Sequence, residues 1–117
     1  MEDSFKELDR HIQHLEYRVR LLAEIADFER HPFIHTVLES DLTESQVRVI
    51  FDLMDKVSQT IRDGKTISHH KFEESIYEIV PSNRGDYHFA GNIVSTLNDE
   101  GRWVEVYGHM KKDGMNI

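Results

Sequence analysis

The sequence predicts an all-α fold, a multihelical bundle of about five to six helices with a long N-terminal amphipathic helix. Apolar residues recur at spacings of three and four along most of the chain, the period of a helix face. No stretch alternates apolar and polar residues as a half-buried strand does. Pro32, Pro81, Gly64 and Gly101 fall between the periodic segments, where helix breakers belong. At 117 residues the chain is expected to form one helical domain over 1–117. Within it, 5–28 is a heptad helix, 32–112 a helical body and 113–117 a frayed tail.

The first helix carries the most regular pattern. Phe5, Leu8, Ile12, Leu15, Val19, Leu22 and Ala26 follow one another at gaps of 3, 4, 3, 4, 3 and 4. This is a heptad seam, with Phe5, Ile12, Val19 and Ala26 at a, and Leu8, Leu15 and Leu22 at d. Leu at every d with β-branched Ile12 and Val19 at a favours two parallel strands, with a trimer as second choice. His11 and Arg18 stand at g, Asp9 and Glu16 at e, groups that can pair across a seam. Leu21 and Ile25 widen the stripe toward a bundle-type face. The same helix could therefore be an ordinary core helix of a monomer. The expected division of labour gives Tyr17, Leu21 and Ile25 to the domain. Phe5, Leu8, Ile12, Leu15, Val19 and Leu22 then form the interface with a second copy. Ser4 with Glu7 reads as a capping box for this helix, and His31-Pro32 closes it, since the residue before proline leaves the helical region.

Pro32 suits the first position of a short second helix with Phe33, Ile34, Val37 and Leu38 on one face, ending near Ser40. Thr43 and Gln46 form a capping box, with Leu42 stapling onto Val47. The third helix then runs from 43 to 62 with Val47, Ile50, Met54, Val57 and Ile61 inward and Gly64 past its end. Ser68 caps a fourth helix bearing Phe72, Ile76, Ile79 and Val80, stopped by Pro81. Asp86 is expected to start a fifth, with Phe89, Ile93, Val94 and Leu97 inward and Gly101 as its terminal glycine. Trp103, Val106, Tyr107 and Met110 outline a sixth, with Lys111 and Lys112 suiting its C-terminal end.

Charge and composition exclude several function classes. The net charge is -8, from 14 basic and 22 acidic residues. Nucleic-acid recognition needs a basic face, and an anionic membrane surface repels such a chain, so neither is expected as a partner. The third helix also lacks the basic surface of a recognition helix: Arg48, Lys56 and Arg62 are set against Glu44, Asp52 and Asp55. With no cysteine there is no disulfide, thiolate zinc site or thiol nucleophile. Residues 1–10 are charged, with no apolar run for a leader, and no segment approaches the ~20 apolar residues of a membrane span. The expected compartment is the cytoplasm.

The order of features resembles a known family. A long first helix ends in Phe28-Glu29-Arg30-His31-Pro32-Phe33. Leu42-Thr43-Glu44 opens the next long helix, Phe72 lies near the middle, and Gly101-Arg102-Trp103 closes the pattern. These resemble the YhaI-like proteins of spore-forming Gram-positive bacteria, whose function is unknown. The resemblance spans nearly the whole chain and implies a small helical bacterial protein that assembles into a homo-oligomer. It implies no activity, cofactor or catalytic residue.

No set of residues makes a convincing catalytic site. Residues 60–72 imitate a calcium-binding helix-loop-helix, but the positions that should supply oxygen ligands hold Thr60, Arg62, Gly64 and Lys71, two of them cations. Of the eight histidines, His31 and His35 stand four apart with Glu39 a turn further on, a set whose chemistry suits a divalent transition metal. They lack the glutamate that a zinc-protease helix places between its histidines, and surface histidines are the simpler account. Adjacent His69 and His70 should point about 100° apart on a helix. Asp52 with Asp55, and Glu73, Glu74 and Glu78, fit a solvated helix face. Trp103 and Tyr107 fit packing of the last helix better than a ligand wall. No nucleophile elbow or phosphate-binding loop occurs, and no cofactor is expected. The chemistry points to an oligomeric helical adaptor or small regulator, with a metal-binding protein or metal-dependent enzyme using His31, His35 and a carboxylate as the alternative.

Acidification through about pH 6.5 protonates histidines and removes much of the net negative charge. Solubility should therefore fall toward the sequence pI of 5.4, because repulsion between molecules weakens. Light scattering that stays flat between about pH 7.5 and 5.5 would contradict this.

Overall fold

The computed structural model describes residues 2–117. Among them are six α-helices and one 3₁₀ turn, with no strand. The helices are α1 (Glu2–Ile25), α2 (Pro32–Glu39), α3 (Glu44–Arg62), α4 (His69–Ile79), α5 (Phe89–Asp99) and α6 (Val104–Lys112), with the 3₁₀ turn at Pro81–Asn83. The all-α class and the long N-terminal helix are as the sequence predicts.

Helix α5 is the centre of the body. Phe89, Ala90, Gly91, Ile93, Val94 and Leu97 are all buried along its 11 residues, and α2, α4 and α6 pack against it. The remaining core comes from the expected faces: Ile50, Met54 and Val57 of α3, Phe72 and Ile76 of α4, Val106 and Met110 of α6, and Phe33 of α2. Gly91 serves the packing directly. A Cβ there would lie 2.9 Å from Ile117 Cγ2, closer than carbon atoms approach without something shifting.

Capping chemistry sets most of the ends. Thr43 Oγ1 accepts from Gln46 N–H at 3.1 Å, and Gln46 Oε1 accepts from Thr43 N–H at 2.9 Å, the reciprocal box expected. Ser68 Oγ accepts from Lys71 N–H at 3.1 Å. Helices α2, α3, α5 and α6 end alike. Leu42, Lys65, Arg102 and Met115 N–H donate back to Val37, Thr60, Leu97 and Met110 carbonyls at 2.9–3.1 Å, the pattern of a Schellman termination. It needs a left-handed residue just past the helix. Gly101 supplies it after α5 with φ +75°, and Asp41 does so after α2 with φ +53°, short polar Asp being among the non-glycine residues that tolerate this region.

Three boundaries depart from expectation. Ser4 lies inside α1 rather than capping it; Glu2 and Asp3 occupy the first turn, where acidic groups stabilise the helix dipole. Helix α1 stops at Ile25, so Phe28 is in the following turn, closed by Arg30 and His31 N–H donating to Asp27 and Phe28 carbonyls. Helix α5 begins at Phe89 rather than Asp86, because the Asp86 carboxylate accepts from His88 N–H at 3.0 Å and its carbonyl from Tyr77 Oη–H at 2.5 Å. The expected frayed tail 113–117 is also corrected: Met115 is buried and Ile117 lies against Gly91, since the α6 termination turns the chain back onto α5.

Helix α1 is the exception to all this packing. Its 24 residues span about 36 Å at 1.5 Å per residue, and none of them is buried. The molecule is correspondingly long, 61 × 30 × 24 Å.

Phe72 is fully buried and Tyr87 is 88 % exposed. Phe72→Ala should lower unfolding free energy by about 3–5 kcal/mol, and Tyr87→Ala by less than about 0.5 kcal/mol. Denaturant titration followed by circular dichroism measures both, and equal effects would contradict the packing described.

Candidate functional site

One feature of the surface is the seam of α1. Phe5 is 66 % exposed, Leu15 56 % and Leu22 62 %, and Leu8, Ile12 and Val19 are exposed likewise. The helix places all six on one stripe by its periodicity. Tyr17, Leu21 and Ile25, expected to serve the domain, are exposed too, so the apolar surface of α1 is wider than the seam. Monomeric soluble proteins rarely leave contiguous apolar surface of this kind uncovered.

A second feature is a groove of about 450 Å³ between α2 and α3, lined by Phe33, Ile34, Val37, Val47, Phe51 and Arg102 with Glu44 at its edge. Its aromatic floor is built by Phe33 on Phe51, centroids 5.4 Å apart, and by Phe51 on Trp103 at 5.2 Å. Trp103 is held in the left-handed region at φ +48°, its indole N–H donating to Asp55 Oδ1 at 3.0 Å. The Arg102 guanidinium lies over Phe51 at 4.6 Å and Trp103 at 5.1 Å, a cation–π geometry. From the other side, Glu100 Oε2 accepts from Phe33 N–H at 2.8 Å, giving the first turn of α2 an acceptor from 67 residues away. Trp103 and Tyr107 thus act in packing. The arginine stack had no signal in the sequence, because residues 51 and 102 meet only through the fold.

The histidines are dispersed. His35 Nε2 lies 2.9 Å from Glu39 Oε1, and Phe28 stacks on the His35 ring at 4.5 Å. His31 is exposed at the N-cap of α2 with no side-chain capping bond. Among the described residues no three His, Asp or Glu side chains meet in a metal-holding arrangement, so His31, His35 and Glu39 do not converge as a ligand set. His69 and His70 come closer than expected, with rings 4.0 Å apart, but His69 Nδ1 is committed to Asp113 Oδ2 at 2.7 Å. Asp113 Oδ2 also accepts from His69 N–H at 2.8 Å. The loop before α4 is further tied by the His109 ring N–H, which donates to the Ile67 carbonyl at 3.0 Å. The calcium-like stretch is therefore a structural loop clasped by α6.

Two carboxylates are electrostatically tuned, both by structural contacts. The backbone N–H of His69, followed by its imidazole, holds Asp113 below the usual carboxylate range. The hydroxyl of buried Ser58 does the same for Glu105, assisted by backbone N–H and Arg62. No described helix is long and apolar enough to cross a membrane.

The family described as Protein of unknown function (DUF1878) matches residues 6–82, from just after the first seam residue through α4. The chain belongs to this family. It is also similar to the Uncharacterized protein YqxJ of Bacillus subtilis, 26 % identical over 81 residues, a span covering 68 % of each chain. No solved structure matches it. The family is thus an uncharacterised one with a relative in a Gram-positive bacterium, and its function is not established.

Asp113 is more acidic folded than unfolded. A carboxylate of that kind stabilises the fold above its unfolded value, about pH 4, and the contribution is lost as pH falls through the lower folded value. Asp113→Asn should therefore destabilise the protein near neutrality, and the gap from wild type should narrow as pH falls below the unfolded value of about 4. Denaturant midpoints at several pH values measure this; a gap constant with pH would exclude a charged clasp.

Proposed function

We propose that this protein is a non-enzymatic, oligomeric helical protein that acts through protein–protein interaction, as an adaptor or small regulator, with α1 as the self-association element. The observation that carries the proposal is that all six seam residues are exposed on a helix with no buried residue. A heptad stripe of Leu, Ile and Val gains from association because each side chain can leave water against its equivalent. The match to its family begins at residue 6 and so takes in nearly the whole stripe. The proposal includes a kinship with the YhaI-like proteins, supported by the features around Phe28–Phe33, Leu42–Glu44 and Gly101–Trp103. The compartment proposed is the cytoplasm. The assembly is a dimer by the a/d rule, with a trimer as second choice.

The helical body does not use α1 for its core, so seam variants separate association from folding. Leu15→Lys strands a charge against apolar groups unless the helices part. It should shift the protein to monomer while leaving the near-UV circular dichroism of the body intact; Tyr17→Lys, at an f position, should do much less. Size exclusion with light scattering decides. A wild-type monomer at about 100 μM, where only dissociation constants weaker than roughly that value would escape notice, overturns the proposal. So does an oligomer indifferent to Leu15→Lys.

A further inference from the structure

The two flanks of the α1 seam are segregated by charge. One flank, position e, carries Glu2, Asp9, Glu16 and Ala23; the other, position g, carries Ser4, His11, Arg18 and Ile25. No ion pair within the described residues engages Glu16, His11 or Arg18, and Asp9 accepts only a hydrogen bond from Gln13 on the same helix, at 3.0 Å. The flank charges are therefore available to a second helix, and their sidedness discriminates between orientations.

In an antiparallel pair, e meets e and g meets g. The register with full overlap of the seam sets Asp9 against Glu16 twice and His11 against Arg18 twice. Sliding by one heptad replaces these with Asp9 against Asp9, or Glu16 against Glu16. Like charges across a seam disfavour that partner geometry. In a parallel pair, g meets the e position of the following heptad. His11 of one chain then faces Glu16 of the other, Arg18 faces Ala23, and Ser4 faces Asp9. No like-charge pair arises, and the imidazole N–H can donate to the carboxylate in either protonation state.

Building on α1-mediated association, we infer that the occupant of the seam is α1 of a second copy, parallel and in register, with reciprocal His11–Glu16 contacts selecting that orientation. Leu at d with Ile12 and Val19 at a favours the same geometry independently. Both helical bodies then leave the same end of the coil, so that two α2/α3 grooves are presented together.

The chain has no cysteine, so a single introduced thiol reports orientation. Under mild oxidation Leu8→Cys alone should give a disulfide-linked dimer, whereas a mixture of Leu8→Cys and Val19→Cys should give no heterotypic product in excess. Exclusive cross-linking between Leu8→Cys and Val19→Cys, which face each other only in the antiparallel register, would overturn the orientation while leaving self-association standing. Light scattering on the same samples separates the two ideas: a monomer, or an oligomer that cross-links in neither test, overturns association through α1 itself. Charge reversal supplies a second readout that does not depend on a thiol. Glu16→Lys should weaken the dimer several-fold, and adding His11→Glu should restore it. A tighter dimer from Glu16→Lys alone is the antiparallel result, because Lys would then face Asp9.

Discussion

The helical body depends on the burial of α5. This short helix has core contacts on most of its circumference, so α2, α4 and α6 each need only one apolar face to complete the structure. That explains why helices as short as eight or nine residues are ordered here. Such segments are marginal in isolation, and packing of an amphipathic face supplies their stability. It also explains the close fit at Gly91, where the returning C-terminal residues reach the α5 backbone.

Helix α1 lies outside this arrangement for a geometric reason. The body completes its core from α2 to the C-terminal residues without drawing on any residue of α1. The turn at 26–31 and the proline opening α2 release the chain from helical geometry before it reaches the body. The result is a molecule in two physical parts, one satisfied internally and one carrying an apolar stripe in water. Composition fits this division, since the charges on α1 lie off the stripe and keep the exposed helix solvated.

The polar groups with the most specific contacts are structural: Asp113 clasps the start of α4, Ser58 and Arg62 hold Glu105, and Glu100 caps α2. The α2/α3 groove is instead an apolar hollow with a guanidinium stacked at its rim. Its aromatic floor is held by the strained Trp103 turn, whose indole bond to Asp55 fixes the ring.

The sequence by itself determined the helices and their faces. The Thr43–Gln46 box, Ser68, Pro32, Pro81 and Gly101 each act on backbone groups within a few residues, and the 3–4 spacing of apolar side chains names the inward face of α3, α4, α5 and α6. Such signals are local, so they survive without knowledge of the fold. Where the sequence expectation slipped at Asp86 and the C-terminal tail, a local signal was outweighed by a bond or contact the sequence does not display. Only the tertiary structure decided which faces meet. The Glu100–Phe33, His69–Asp113 and Arg102–Phe51 contacts join residues far apart in the chain, and each exists because the packing around α5 closes those loops. The same packing decided that Tyr17, Leu21 and Ile25 stay in solvent, because the core around α5 is completed by α2 through the C-terminal residues without α1.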